Sequence, residues 1–339
     1  MQKTIKTGIL SFGMSGKIFH SPFLQIHNGF ELIAVVERSV KTAHLSFPEI
    51  KSYDTVDELI ADPEIELVVV NTPNATHFEF ALKAIQSGKH VLLEKAFTVT
   101  SAQARKLFQE ANKYNRYILP YQNRRFDSDF MSVKAVIESG KLGRLVEVHI
   151  RYDRFRDTIG PKVAKETPVP GSGLMYDLGP HLLDAVISIF GKPLRWTKTL
   201  GHFRVNTLVD DYAHFHLEFP EELQVFLTAS MLVVDAQPAF VIHGTKGTYV
   251  KQRADSQEKQ LLDGMSPANP LFGIEEAGKE GLLTTISDNG IKTQEIIPSI
   301  KSSYINLFEQ VYQTIRHGKP YPIKESQILE QLEILENNG

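Results

Sequence analysis

The sequence predicts an α/β chain: a doubly wound parallel sheet followed by an α+β domain whose sheet is mainly antiparallel and open. Three observations predict it. Up to residue 121, short β-branched runs alternate with helix-compatible stretches, the pattern of a parallel sheet covered on both faces. Beyond it, strand-like stretches follow one another more directly, and two alternate apolar with polar residues, as a sheet with one wet face does. A glycine-bearing turn also separates the first short strand from the first helical stretch.

Taken in order, Thr4-Ile-Lys-Thr7 can pair as a first strand, and Gly8-Ile-Leu-Ser11-Phe12-Gly13-Met14-Ser15-Gly16 follows it. Leu32–Val36 is a second strand, ending at Glu37, twenty-one residues after Gly16. This order matches the βαβ dinucleotide fingerprint. Glycines let the backbone approach a pyrophosphate, a helix N-terminus faces its charge, and the acid takes a ribose hydroxyl pair. Glu66–Val70, His90–Glu94 and Tyr117–Tyr121 are further strands, with helices over Thr76–Ser87 and Ser101–Tyr114. Later strands run over Val146–Tyr152, Asp211–Phe219 and Leu223–Ala229. A helix is expected from Pro180, suited to a first helical position, to Phe190, with Gly191 as its stop. Residues 252–294 read as loops and short strands, and Ser326–Glu336 as helical. The division expected is a nucleotide domain over 1–121 and a second domain over 122–339.

Composition narrows the function. A 23% charged chain of net charge -3 carries no nucleic-acid footprint. The absence of cysteine excludes disulfides, thiolate catalysis and thiolate metal sites. The first residues show no signal-peptide pattern, and no apolar run approaches about 18 residues. The expectation is a cytoplasmic globular protein without membrane partners and without a bound metal.

Three segments can carry chemistry. Gly88-Lys-His-Val-Leu-Leu-Glu94-Lys95-Ala96 delivers Lys95 at the carboxyl end of a parallel strand, where doubly wound sheets bind ligands. Gly171 to Asp184 places Asp177 and His181 near a helix mouth; histidine suits proton transfer near neutral pH, and a carboxylate can orient it. A packing or capping role is the alternative for His181, and a structural one for Asp184. Tyr121-Gln-Asn-Arg124-Arg125-Phe-Asp127 offers paired arginines for a phosphate or polar substrate, or for an ion pair between domains.

Together these segments resemble the Gfo/Idh/MocA family of nicotinamide-dependent oxidoreductases over essentially the whole chain. The resemblance is carried by the opening turn, Thr72-Pro73-Asn74 with His77, Glu94-Lys95, Asn123-Arg124-Arg125-Phe126, and Asp177-x-Gly179-x-His181-x-x-Asp184. Phe19-His20-x-Pro22 and Tyr121–Asp127 look nearest to a bacterial branch that includes scyllo-inositol dehydrogenases. The resemblance implies Lys95, Asp177 and His181 as the catalytic residues. It implies a cofactor lined by Gly13, Gly16, Thr72, Pro73, Asn74, His77 and Glu94; Phe12, Met14, Ser15, Glu37, Arg38, Asn123 and Arg124 are further expected cofactor-binding residues. It also implies a homodimer or homotetramer joined through the sheet of the second domain. Three departures stand out. Ser11 replaces a glycine, which a negative φ accommodates. Ala96 replaces the usual proline, so a trans Lys95–Ala96 bond is expected, because a cis one costs about 2.5–4 kcal/mol. The chain also stops at Gly339, sooner than typical members.

The reading reached from sequence is an NAD(P)-dependent dehydrogenase acting on a secondary alcohol of a sugar, inositol or related polyol. NAD is expected over NADP because of Glu37, with Arg38 and Ser39 leaving NADP open. Specificity is expected from loops including residues 152–170. A glycoside hydrolase with retained NAD and a non-catalytic dinucleotide sensor are the alternatives.

Overall fold

The structure, a computed structural model, describes residues 3–160 and 166–337. Its first strands are β1 Ile5–Ile9, β2 Phe30–Val36, β3 Lys51–Tyr53, β4 Leu67–Val70, β5 His90–Leu93 and β6 Ile118–Pro120. All pair in parallel in the order β3-β2-β1-β4-β5-β6, so the direction of winding reverses between β1 and β4. Every residue of β4 is buried, as a strand covered on both faces requires. Between strands run α1 Ser21–Ile26, entered through a π-helical turn Gly16–His20, then α2 Val56–Ala61, α3 Asn74–Gln86 and α4 Ser101–Lys113. Capping boxes at Thr55 with Glu58 and Thr100 with Gln103 fix the starts of α2 and α4 by satisfying otherwise orphaned N–H groups.

The second sheet has eight strands. They are β7 Leu145–Asp153, β8 Arg195–Gly201, β9 Tyr212–Glu218, β10 Gln224–Ser230, β11 Phe240–Gly244, β12 Gly247–Lys251, β13 Gly281–Ile286 and β14 Lys292–Ile297. Their order is β14-β13-β12-β11-β7-β10-β9-β8, antiparallel except where β10 lies parallel to β7. Helices α5 Ser128–Glu138 and α6 Gly173–Phe190 accompany this sheet. Alternation in β10 sends Val225, Leu227 and Ala229 into the core, fully buried. On its other face the rings of His149 and His216 stack on Phe226 at 5.0 and 4.6 Å. The row continues in register through Val241, Val250 and Leu282.

Two results differ from the sequence expectation. Helix α6 begins at Gly173, and Pro180 is buried inside it, not at its start. The first turn is capped from elsewhere in the chain: Leu174 and Met175 donate their N–H groups to the Asp210 carbonyl (2.9 Å) and carboxylate (2.6 Å). A local start signal cannot report such a distant cap. The segment read as loops and short strands contains a helix, α7 Ser256–Leu262, besides β13 and the start of β14.

The chain also packs as two units that are not contiguous. The first holds residues through Asn123 together with Gln257–Phe272 and Ser303–Leu329; the second holds Arg124–Ser256, Gly273–Ser302 and residues from Glu330 onward. The sequence expectation assigns everything beyond residue 121 to the second domain. The returning helices are α8 Tyr304–His317 and the first part of α9 Glu325–Glu336. Aromatic packing explains the return of α8: Phe308 stacks on Phe23 at 5.5 Å and meets Phe30 edge-on at 6.2 Å. Gly29 leaves room for Tyr312, whose ring would lie 2.3 Å from any Cβ there.

One ion pair anchors the far edge of the second unit. Lys251, at the end of β12, is buried, and its Nζ donates to Glu275 (2.6 Å) and Ser299 Oγ (3.1 Å). The Lys251→Met variant strands the Glu275 carboxylate in a site where it is 3% exposed. A loss of about 3–5 kcal/mol is expected, read as a lower urea midpoint of the second unit. An unchanged midpoint refutes this account.

Candidate nucleotide and catalytic site

The turn after β1 is built by its neighbours. Leu10 N–H donates to Val69 O (3.0 Å), carrying the chain one step past β1 alongside β4. Asn71, just beyond β4, then grips Ser11 from both sides: Ser11 N–H donates to Asn71 Oδ1 (2.9 Å), and Asn71 Nδ2 donates to Ser11 O (2.8 Å). Ser11 does not take a positive φ, so its side chain costs the turn nothing. Gly16 is required sterically, because a Cβ there would meet Ser11 O at 2.3 Å. Gly13 is exposed, and a Cβ there would make an ordinary contact with Ser11 Oγ at 3.7 Å. Met14 is also exposed, whereas Phe12 is buried against Phe47 and Ser15 Oγ donates to Glu94 Oε1 (3.0 Å). A tight turn with exposed backbone, at the point where winding reverses, fits a pyrophosphate.

Glu37 lies where the fingerprint places it, after β2, but its carboxylate faces inward. It accepts from Thr42 N (2.7 Å), Thr42 Oγ1 (3.1 Å), Ala43 N (3.1 Å) and Ser52 Oγ (2.9 Å). Burial pushes its carboxyl up, yet the donors from Thr42, Ser52 and Ala43 outweigh this and hold it below the usual range. Four donors match the acceptor capacity of a carboxylate. Arg38 and Ser39, by contrast, are exposed, and Lys17 Nζ reaches Thr42 Oγ1 (2.9 Å) beside the same loop.

Thr72, Pro73 and Asn74 form the passage from β4 into α3, and His77 lies in its first turns. The buried His77 ring sets Nδ1 2.7 Å from Ala96 O and Nε2 2.8 Å from Thr72 O, tying the end of β4 to the end of β5. Burial lowers the pKa of His77, against the opposing pull of these carbonyls. The Lys95–Ala96 bond is cis, where the sequence predicts trans. That expectation weighs only the local cost, whereas the Ala96 carbonyl is held by His77 and Ala96 itself is buried. Glu94 and Lys95 thus follow β5 directly, next to the β1 turn, and Asn123 is buried at the limit of the first unit.

In the second unit α6 carries Asp177, His181 and Asp184. Asp177 and His181 are four residues apart, hence neighbours on one helix face. His181 is buried and lines a small pocket with Arg124, Arg125, Tyr152, Asp184 and Arg253. Arg125 grips Asp184 through two bonds of 2.7 Å, and Gln331 donates to the same carboxylate at 2.7 Å. Arg124 pairs with Asp127 (3.1 Å) and Asp255. Both arginines are therefore committed to carboxylates of their own unit. Tyr152 and Arg253 are not among the site residues that the sequence singles out. The Arg253 guanidinium lies 3.8 Å from the Tyr152 ring centroid, and only the position of Tyr152 at the head of the expected specificity loop hints at this. Residues 161–165 of that loop lie outside the described residues.

Comparison with known proteins agrees with this fold. The description "Oxidoreductase family, NAD-binding Rossmann fold" matches residues 5–121, and "GFO/IDH/MocA C-terminal domain" matches residues 130–250. The chain is 32% identical to the scyllo-inositol 2-dehydrogenase (NADP(+)) IolW of Bacillus subtilis, over 98% of this chain and 92% of that protein. It is 36% identical to the uncharacterized oxidoreductase YhhX of Escherichia coli, over 98% of this chain and 95% of the relative. The crystal structure of an oxidoreductase from Bacillus cereus superposes with a TM-score of 0.90 at 32% identity, covering 99% of this chain and 95% of that one. Among the described residues no helix is long and apolar enough to cross a membrane.

Proposed function

We propose that this chain, which belongs to the Gfo/Idh/MocA family of NAD(P)-dependent oxidoreductases, oxidises a secondary alcohol of a sugar, inositol or related polyol. The observation that carries the reading is the Ser15–Glu94 bond of 3.0 Å, which ties the dinucleotide turn to the strand end presenting Lys95. The bound nicotinamide supplies the hydride chemistry. Gly13 and Gly16 shape the turn for the pyrophosphate, and Thr72 to Asn74 border it at the end of β4. Lys95 stabilises the alkoxide that develops as the hydroxyl ionises. His181 accepts the hydroxyl proton, and Asp177, one turn earlier on α6, orients that imidazole or takes a neighbouring hydroxyl. The scyllo-inositol dehydrogenase relative supports a polyhydroxylated substrate. A panel of sugars and inositols, followed by NAD(P)H formation, tests the class; no net reduction on any member refutes it.

The Lys95→Met variant should lose kcat far more than nucleotide affinity, because its charge acts mainly in the transition state. His181→Ala should lose about 10²–10⁴ in kcat. Near-parental turnover in either variant removes that residue from its catalytic role.

Cofactor choice turns on Glu37. The sequence expectation of NAD assumes a carboxylate free to bind ribose, but these oxygens are already filled by Thr42, Ala43 and Ser52. The exposed Arg38 and Ser39 instead suit a 2′-phosphate. The proposal is therefore NADP over NAD by at least about tenfold in kcat/KM, a ratio that Arg38→Ala collapses. Equal or better use of NAD would overturn it.

The open face of the second sheet serves a homo-oligomer in this reading. Its stacked His149, Phe226 and His216 and the neighbouring Val241 and Val250 make a surface neither wholly polar nor wholly apolar, as subunit contacts are. Light scattering at micromolar concentration should give at least twice the monomer mass, and Phe226→Glu should halve it. A monomer in the parental protein sinks the proposal.

A further inference from the structure

Two motifs remain without a task, Phe19-His20-x-Pro22 and the Tyr121 that opens Tyr121-Gln-Asn-Arg-Arg. In the folded chain they pack on each other. The His20 and Tyr121 ring centroids are 4.5 Å apart, and Tyr121 Oη donates to Phe19 O (2.8 Å). His20 is fully buried in the π-helical turn, with Phe308 edge-on at 6.2 Å. Its Nε2 lies 2.9 Å from Glu94 Oε1, the same oxygen that accepts from Ser15 Oγ. The other oxygen, Oε2, faces the backbone N–H of Lys95 at 3.3 Å. An ionised carboxylate only accepts, so the hydrogen of His20 resides on Nε2 and points at Glu94. The opposite nitrogen, Nδ1, is buried without a hydrogen-bond partner among the described residues. A histidine kept in an apolar aromatic pocket for one bond is unusual, since a buried polar atom left unmatched is destabilising.

We infer that His20 is a positioning residue for the reaction, holding the ionised Glu94 carboxylate at a fixed place beside Lys95. The inference rests on the catalytic role proposed for Lys95. Geometry explains why the Ser15 hydroxyl does not suffice alone. Ser15 is a half-buried residue of the nucleotide turn, whereas His20 is locked by Tyr121 and Phe308 and so sets the carboxylate more rigidly. The titratable groups facing Glu94 are His20 from the π-helical turn, Lys95 from its own strand end and His77 from α3. Burial pushes the Glu94 carboxyl up, but His20, Lys95 and Ser15 outweigh it and hold it below the usual range. Losing His20 removes the largest of these opposing contributions. Glu94 then takes up a proton at higher pH, and Lys95 loses its fixed counter-charge.

The test uses full-length protein with NAD(P) and the best polyol substrate. His20→Leu should lower kcat at least about tenfold and change KM for the nucleotide less than about threefold. His20→Gln, whose amide reaches as far as Nε2, should recover most of kcat. His20→Asn, which is too short to reach Glu94, should not. In a Glu94→Gln background His20→Leu should add no further loss. If His20→Leu keeps kcat, or if Gln and Asn variants behave alike, the inference is wrong. The second comparison decides even if the Leu variant does not fold. Retained turnover in Lys95→Met would instead defeat the catalytic reading itself, whatever His20 does.

Discussion

The grip of Asn71 on Ser11 is the contact on which the nucleotide half of the site depends. It joins the ends of β1 and β4, the two neighbouring strands from which the sheet winds in opposite directions. Only there do two adjacent loops diverge and leave space for a ligand. A glycine at position 11 would gain freedom that this site does not use, because the Asn71 amide already dictates where the Ser11 backbone lies. Gly16 remains obligatory, because Ser11 O excludes a Cβ there. The departure from the glycine fingerprint at position 11 is therefore tolerated where the backbone is held by a side chain, and the glycine is kept where the backbone itself leaves no room.

The same economy governs the charges. Glu37 organises its own loop, Arg125 and Asp184 clamp each other, and Glu94 is held by Ser15 and His20. Charged groups that are fully hydrogen-bonded before a ligand arrives are preorganised, and they do not move during reaction. What stays available at the nucleotide turn is mostly backbone, around Gly13 and Met14, and the exposed Arg38 and Ser39. Recognition by backbone and an exposed arginine suits an anionic, elongated cofactor better than a compact neutral one.

How much of this could be read from sequence follows from how local each cause is. Strands β4 and β5 were legible because a strand buried on both faces needs continuous apolar residues. Ser101 as the start of α4 was legible because Thr100 and Gln103 cap within one turn. The face of β10 was legible because its alternation has a period of two. The start of α6 was hidden because its cap, Asp210, is remote in sequence. The return of α8 to the first unit was hidden because Phe23 and Phe30 recruit Phe308 across the whole chain. At the site, spacing located Glu37 and the end of β5 located Lys95. Neither signal could report that Thr42 and Ser52 would consume the Glu37 carboxylate, or that His20 would find Glu94.

Helix α6 shows why its motif mixes polar residues with a small one. Asp177, His181 and Asp184 recur at helical spacing and so share a face, while Gly179 falls on the opposite side. That side is packed: a Cβ on Gly179 would come within 3.1 Å of Leu335 and 3.6 Å of Phe215. The close approach of helix to sheet sets the depth at which His181 lies, and Arg125 with Gln331 fixes the helix against rotation by holding Asp184. Gly179 and Asp184 thus govern where His181 points without any need to touch a substrate. An imidazole placed by packing on one side and an ion pair on the other has little freedom to reorient. This is the property that the proton-accepting role proposed for His181 requires, because its partner hydroxyl must be met at hydrogen-bond distance.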